Sequence, residues 1–218
     1  MPTCFSELPK GYAGHRSASK MTVQQFLVMR TLSSPRSWNS FNPDDYGLGE
    51  RYERAQQHLV VSGAFRSFLD SITNEIIKPI GVFEGLRSQQ KEFQSRDLQT
   101  KYLRSDKTPV NAFMINFGLA ISRVDPAPTS VWRHSKISLK ANFGRVVGET
   151  DDRGFTAVTD GQLQDISTGR IKALVECKAR NRRYAEPAVE MQETGLIVAW
   201  IRECPGDQQY APNSCFKN

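Results

Sequence analysis

Apolar residues recur along this chain with two periods, helical spacing in the first half and alternation in the second. Residues 1–20, rich in Ser, Gly, Lys and Pro, carry neither and predict a flexible leader. Val23, Phe26, Leu27 and Leu32 then fall at helical spacing over 21–32, and a Ser-, Pro- and Asn-rich stretch over 33–43 ends that helix. Trp38 and Phe41 in this break predict a loop anchored to the core by its aromatic rings. Residues 49–62 predict a helix. Residues 64–80 predict a stronger one, with Phe65, Phe68, Leu69, Ile72, Ile76 and Ile77 on one stripe. The polar stretch 85–103 predicts a solvated helix or, in a sharper reading, a basic helix along a nucleic-acid backbone.

The pattern changes after residue 109. Val110 to Phe117 mixes apolar and amide residues and predicts the beginning of a sheet; Pro126 and Pro128 break it. Residues 135–141 alternate and predict a strand, which 143–147 extend, before an acidic turn containing Glu149, Asp151 and Asp152. Then comes a hairpin. Residues 161–166 read as extended, Ser167-Thr168-Gly169 supplies turn chemistry, and Ile171, Ala173, Val175 and Cys177 alternate with Lys172, Leu174, Glu176 and Lys178. A three-residue loop with Gly169 left-handed pairs Ile166 with Arg170 and, counting back, Asp160 with Glu176. Directly opposed residues share a face with Cβ atoms about 5 Å apart. A two-residue loop would instead set Asp160 opposite Cys177. Pro187 suits the first turn of a helix running to residue 202, with Val189, Leu196, Ile197, Ala199, Trp200 and Ile201 partly on the sheet.

Two carboxylates so close repel unless a cation lies between them. Hard oxygen donors suit Mg²⁺, which takes one or two carboxylates with water and phosphate oxygens. A lysine two residues along, on the same strand face, can orient a water or stabilise charge on a scissile phosphate. Those parts compose a metal-assisted phosphodiester hydrolase.

Asp160, Glu176 and Lys178 resemble the signature of the PD-(D/E)xK nuclease superfamily, whose core is like that of restriction endonucleases. Val158-Thr159-Asp160-Gly161, Ala173-Leu174-Val175-Glu176-Cys177-Lys178-Ala179 and Met191-Gln192-Glu193-Thr194 are most similar to its fungal branch. The resemblance covers residues 150–202, and it lacks the proline of the superfamily name, since Val158 and Thr159 precede Asp160. It implies an α+β chain, with a helical region over 21–108, a mixed sheet flanked by helices over 109–204 and an irregular tail over 205–218. It further implies Mg²⁺ or Mn²⁺ held by Asp160, Glu176 and the carbonyl of Cys177, with Lys178 acting on the water and Gln192 assisting. A helix before the core often adds a metal-binding glutamate, and Glu75 is the leading candidate, ahead of Glu53 and Glu84. Arg180, Arg182 and Arg183 would meet the phosphate backbone. DNA or RNA is the expected partner, and a homodimer is one assembly that such nucleases use.

Composition narrows this little. The fractions, 39% hydrophobic and 24% charged, are those of a globular protein, and no apolar run approaches a membrane span. A net charge of +6 is compatible with a polyanionic partner without requiring one. Cys4, Cys177, Cys204 and Cys215 show no zinc-ligand spacing, which predicts reduced thiols in the cytoplasm or nucleus, with Cys177 a buried small hydrophobe. The tail holds no good strand, which predicts a sheet one strand short with an exposed edge. That shortening keeps open a second reading: an inactive module of the same fold that binds nucleic acid or protein. A third reading is an intracellular partner-binding protein in which the Glu-x-Lys pair is incidental.

Overall fold

The computed structural model describes residues 16–29, 38–74, 79–94, 107–144, 154–178 and 187–205. In chain order these form β1 (Arg16–Ser17), α1 (Val23–Met29), α2 (Gly49–Val61), α3 (Gly63–Asn74), α4 (Glu84–Gln94) and α5 (Thr108–Ser122). There follow β2 (Ser130–Arg133), β3 (Ser138–Asn142), β4 (Gly154–Val158), β5 (Gly161–Asp165), β6 (Ile171–Val175) and α6 (Ala188–Glu203). The chain is thus α+β. It divides into two compact units, each assembled from separate stretches. Strand pairing also differs from expectation, because the strands form two three-stranded sheets where one mixed sheet was predicted.

The first unit comprises Met1–Pro35, Lys136–Asp160 and Asn181–Ala211. Its sheet has the order β1-β4-β3, with β1 parallel and β3 antiparallel to β4. Alternation along β3 buries Leu139 and Ala141 while exposing Ser138, Lys140 and Asn142, so one face is apolar. Phe155 and Ala157 of β4 join that face, and Val189, Leu196 and Ala199 of α6 are buried in the same unit. Ile197, expected to face the sheet in part, is 42% exposed. Residues 16–20 of the predicted leader are structured, and the rest of it lies outside the described residues. Ser17 caps a 3₁₀ turn over Ala18–Lys20, and Ala18 and Met21 are buried against the space left by Gly195 of α6.

The second unit comprises Arg36–Ser135, Gly161–Arg180 and Pro212–Asn218. Its helical core gathers Phe68, Ile80, Phe83, Leu86 and Ala120, with Phe68 stacked on Phe83 at 4.9 Å. Ser62 accepts the N–H of Phe65 and starts α3; Phe41 stacks on Tyr46, five residues on, at 5.4 Å. Residues 110–117 are helix, correcting the predicted strand. Pro109 stands in the first turn of α5, where its fixed φ favours helix and its missing N–H costs nothing. Apolar residues surround this helix, so its sequence lacks a polar stripe by which the period could be read.

The sheet of this unit has the order β2-β5-β6, antiparallel throughout. The hairpin closes differently from the expected three-residue loop. Asp165 N–H donates to Arg170 O at 2.8 Å, leaving four residues, Ile166 to Gly169, in the turn. Gly169 adopts φ 70°, the left-handed conformation expected of it. A bulge between the Leu163–Ala173 and Gln164–Ile171 pairs then shifts the ladder by one residue. Its far end consequently pairs Gly161 with Val175, the register that sequence counting required.

Candidate functional site

The β5–β6 ladder ends on Gly161 and Val175, one residue short of Asp160 and Glu176. On the β6 side, the residues just past the strand form a charged cluster within the second unit. The Glu176 side chain is buried, 6% exposed, and Lys178 Nζ donates to its Oε1 at 2.6 Å. Residues two apart on extended chain share a face, and this contact follows from that spacing. Lys107 Nζ stands 3.6 Å from the same oxygen. Cys177, on the opposite face, is buried, and its thiol lies 3.7 Å from Asn111 Oδ1. Lys107 and Asn111 are four residues apart at the start of α5, hence on one side of the helix. That turn therefore meets both faces of the segment 176–178.

Asp160 belongs to the first unit. It is 2% exposed, and Lys136 Nζ lies 3.9 Å from its Oδ1. Thr159 sets this arrangement by clamping Ile137 on both sides. Its N–H donates to Ile137 O at 3.0 Å, and its Oγ1 accepts Ile137 N–H at 3.2 Å. The residue before Ile137 is the lysine that reaches Asp160. Neither acid is the solvated strand or turn residue that a bare Asp…Glu-x-Lys pattern would suggest. A buried carboxylate demands a compensating cation, and lysine supplies it in each case.

The other expected residues divide. Gln192 is half-buried on α6 in the first unit. Glu75, Arg180, Arg182 and Arg183 lie outside the described residues, as do Glu149, Asp151 and Asp152. Glu84 pairs with Arg87 at 2.6 Å within α4, which accounts for it structurally. Glu53 is exposed on α2 beside Gln56, Gln57, Val60 and Val61. Cys177 and Cys204 are free thiols. No described helix is long and apolar enough to cross a membrane.

The chain matches no protein-family model, no curated protein and no solved structure.

Sequence reasoning passed over three residues of this neighbourhood. Lys107 carries no local signal, since only the fold brings α5 to the end of β6. Gln162, fully buried, donates from Nε2 to Ser135 Oγ at 3.2 Å and sits two residues after Asp160. A glutamine inside a strand bounded by glycine and aspartate reads as solvent-facing from pattern alone. Gly161 is required by close approach, because a Cβ there would stand 2.5 Å from Ile115 Cδ1 and 2.8 Å from Arg133 O.

Among the described residues no group of three or more His, Cys, Asp and Glu side chains gathers. Mg²⁺, satisfied by one or two carboxylates plus water and phosphate oxygens, needs no such group. Asp160 and Glu176 each carry hard carboxylate oxygens, and each has a lysine beside it.

Proposed function

We propose that this protein is a metal-dependent nuclease that hydrolyses phosphodiester bonds of DNA or RNA. The observation that carries the reading is the buried Glu176 side chain bound by Lys178, just past the end of the β5–β6 ladder. Asp160, Glu176 and the carbonyl of Cys177 would hold Mg²⁺ or Mn²⁺. The cation, when bound, supplies charge neutralisation to the phosphate and lowers the pKa of a water.

The remaining chemistry falls to the chain. Lys178 is 26% exposed with its ammonium at the edge of the buried carboxylate, where it can hold a water or a non-bridging phosphate oxygen. Water oxygen bonds to phosphorus, the bond to the leaving oxygen breaks, and that oxygen takes up a proton. Gln192 assists by resemblance, and Arg180, Arg182 and Arg183 bind the backbone. A homodimer would cut two strands, and an α+β restriction-endonuclease-like core would carry the site.

A binding module without catalysis is the second reading. Two lysines on one oxygen of Glu176 favour it, since they neutralise the acid without a metal.

Purified full-length protein, titrated with Mn²⁺ and Mg²⁺ against labelled single- and double-stranded DNA and RNA, separates the two. Metal-dependent cleavage that disappears in Lys178→Ala supports the nuclease. Salt-sensitive binding by both proteins without cleavage supports the module.

A further inference from the structure

We propose that Arg133, at the end of β2, is a phosphate contact, its guanidinium binding a phosphodiester group of a nucleic-acid strand that meets the sheet face of Glu176 and Lys178. The inference rests on the reading that the site handles nucleic acid, and it adds a residue that the resemblance does not supply.

Strand pairing places the residue. Arg133 stands directly opposite Gln162 of β5, which in turn stands opposite Leu174 of β6. Directly opposed residues share a face, so the three form one row across the sheet of the second unit. Glu176 and Lys178 follow Leu174 at steps of two and continue the same face. α5 covers the opposite face. A Cβ on Gly118 would stand 2.7 Å from the Trp132 ring, a Cβ on Gly161 would stand 2.5 Å from Ile115 Cδ1, and the Cys177 thiol lies 3.7 Å from Asn111 Oδ1. Strand and residue spacings set the Cα atoms of Arg133 and Glu176 about 12 Å apart, so Arg133 takes a different phosphate from the one met by Lys178.

Arg133 is the open end of its row. Gln162 in the middle is fully buried, whereas Arg133 is exposed at the edge of the sheet. Among the described residues, the Arg133 side chain forms no ion pair, hydrogen bond or ring contact. Its backbone is nevertheless fixed. Trp132 packs against Gly118, and Arg133 O lies 2.8 Å from the Cβ position of Gly161. A guanidinium carried on such a strand presents paired, planar donors that match two oxygens of one phosphate. An exposed cation on an edge strand also discourages strand addition. Loss of that role alone would make the protein self-associate and leave the salt dependence of nucleic-acid binding as it was.

Binding of labelled DNA and RNA by full-length protein in EDTA, followed across a KCl series, reads this contact without catalysis. Arg133→Gln should lower the slope of log K against log salt by about 0.9 for duplex DNA or about 0.7 for a single strand. Arg133→Lys keeps the charge and should keep the slope. Arg54→Gln, which removes an exposed charge from α2 of the same unit, should leave the slope unchanged. An unaltered slope in Arg133→Gln, or an equal fall in Arg54→Gln, overturns the assignment. Concentration-dependent sedimentation of Arg133→Gln with an unaltered slope overturns it too, and leaves an edge guard. If Arg133→Gln does not fold, the Nε–Hε resonance of Arg133 in the wild type gives a second readout. It should shift when oligonucleotide is added, and a fixed resonance under saturating binding overturns the proposal. Wild type that binds with the expected slope but never cleaves removes the nuclease reading alone. Cleavage with an unaltered slope in Arg133→Gln removes Arg133 alone, and absence of any binding removes both.

Discussion

Arg202 donates from Nε and Nη2 to the backbone carbonyl of Asn142, at 3.2 and 2.9 Å. The next residue, Glu203, accepts the backbone N–H of Lys140 through Oε2. Both contacts fall on the outer edge of β3. Because Ile137 and Thr159 form a hydrogen-bonded pair, residues 139 and 141 turn their backbone groups toward β4, and 138, 140 and 142 turn theirs outward. The end of α6 thus occupies groups that an incoming strand would use. Arg202 is held over the Phe143 ring at 5.2 Å. Replacing Arg202 and Glu203 together by alanine should make the protein associate as its concentration rises, and should speed amide exchange at Lys140. Sedimentation coefficients independent of concentration, with Lys140 still protected, would show that these side chains do not guard the edge.

Gly161→Ala should destabilise the protein. Relieving a strand of glycine ordinarily gains about 0.5–1 kcal/mol. Here the new methyl meets Ile115 Cδ1 and the backbone oxygen of Arg133 closer than real contacts allow. Overpacking of that kind costs about 1–3 kcal/mol. Gly169 makes the informative comparison, because nothing lies within 4 Å of its Cβ position and only its φ of 70° opposes a side chain. Gly169→Asn should therefore be milder than Gly169→Ala, since Asn tolerates left-handed backbone. Urea midpoints rank the three variants, and a stabilised Gly161→Ala would refute the close-approach argument.

The hairpin shows how a sequence can yield the right register through the wrong turn. Counting from a three-residue loop pairs Ile166 with Arg170; the structure closes on Asp165 and Arg170 and recovers the step with a bulge. Asp165 decides this by gathering Ser167 and Thr168 around its carboxylate, a local preference that periodicity does not register. The α3 and α6 helices were legible from spacing and from a clear start, although of the α3 stripe Phe68 is buried while Leu69 and Ile72 are exposed. α5 was not, being apolar nearly all round. β1, of two residues, and β2, of four, are too short to show any period. Glu176 and Lys178 were legible as a pair from spacing alone. Lys107 and Lys136 were not, since each reaches its acid only after the chain has folded.

The same Asp165 predicts a pH dependence. Lys172 lies 2.7 Å from its Oδ2, and Oδ1 accepts the hydroxyl of Ser167 and the N–H of Thr168. Lys172 first, then these hydrogen bonds, hold the carboxyl well below the usual aspartate range. A depressed folded pKa means that the unfolded chain binds the proton more readily, so stability rises with pH across the interval. The contribution is complete above the ordinary aspartate value of about 4 and is lost as pH falls from there toward the folded value. Asp165→Asn should therefore lower the urea midpoint at pH 7, and the gap from wild type should narrow progressively below pH 4. A gap that stays constant down to acid pH would assign the loss to something other than the carboxylate's charge.

Glu176 should reveal its two lysines through non-additivity. Lys178→Met leaves Lys107 near the buried carboxylate, and Lys107→Met leaves Lys178. Either single change keeps one ammonium to offset the cost of a charge whose side chain is 6% exposed. The double change keeps neither, so its cost should exceed the sum of the singles by about 0.5–3 kcal/mol, the coupling typical of groups sharing a partner. Substituting Glu176→Gln first removes the charge that both lysines serve, and both lysine changes should then cost little and add. Urea unfolding of the eight proteins in this cube measures each term. Additive costs on the Glu176 background would mean that the two lysines answer to different partners, and that the second is not held by the buried acid.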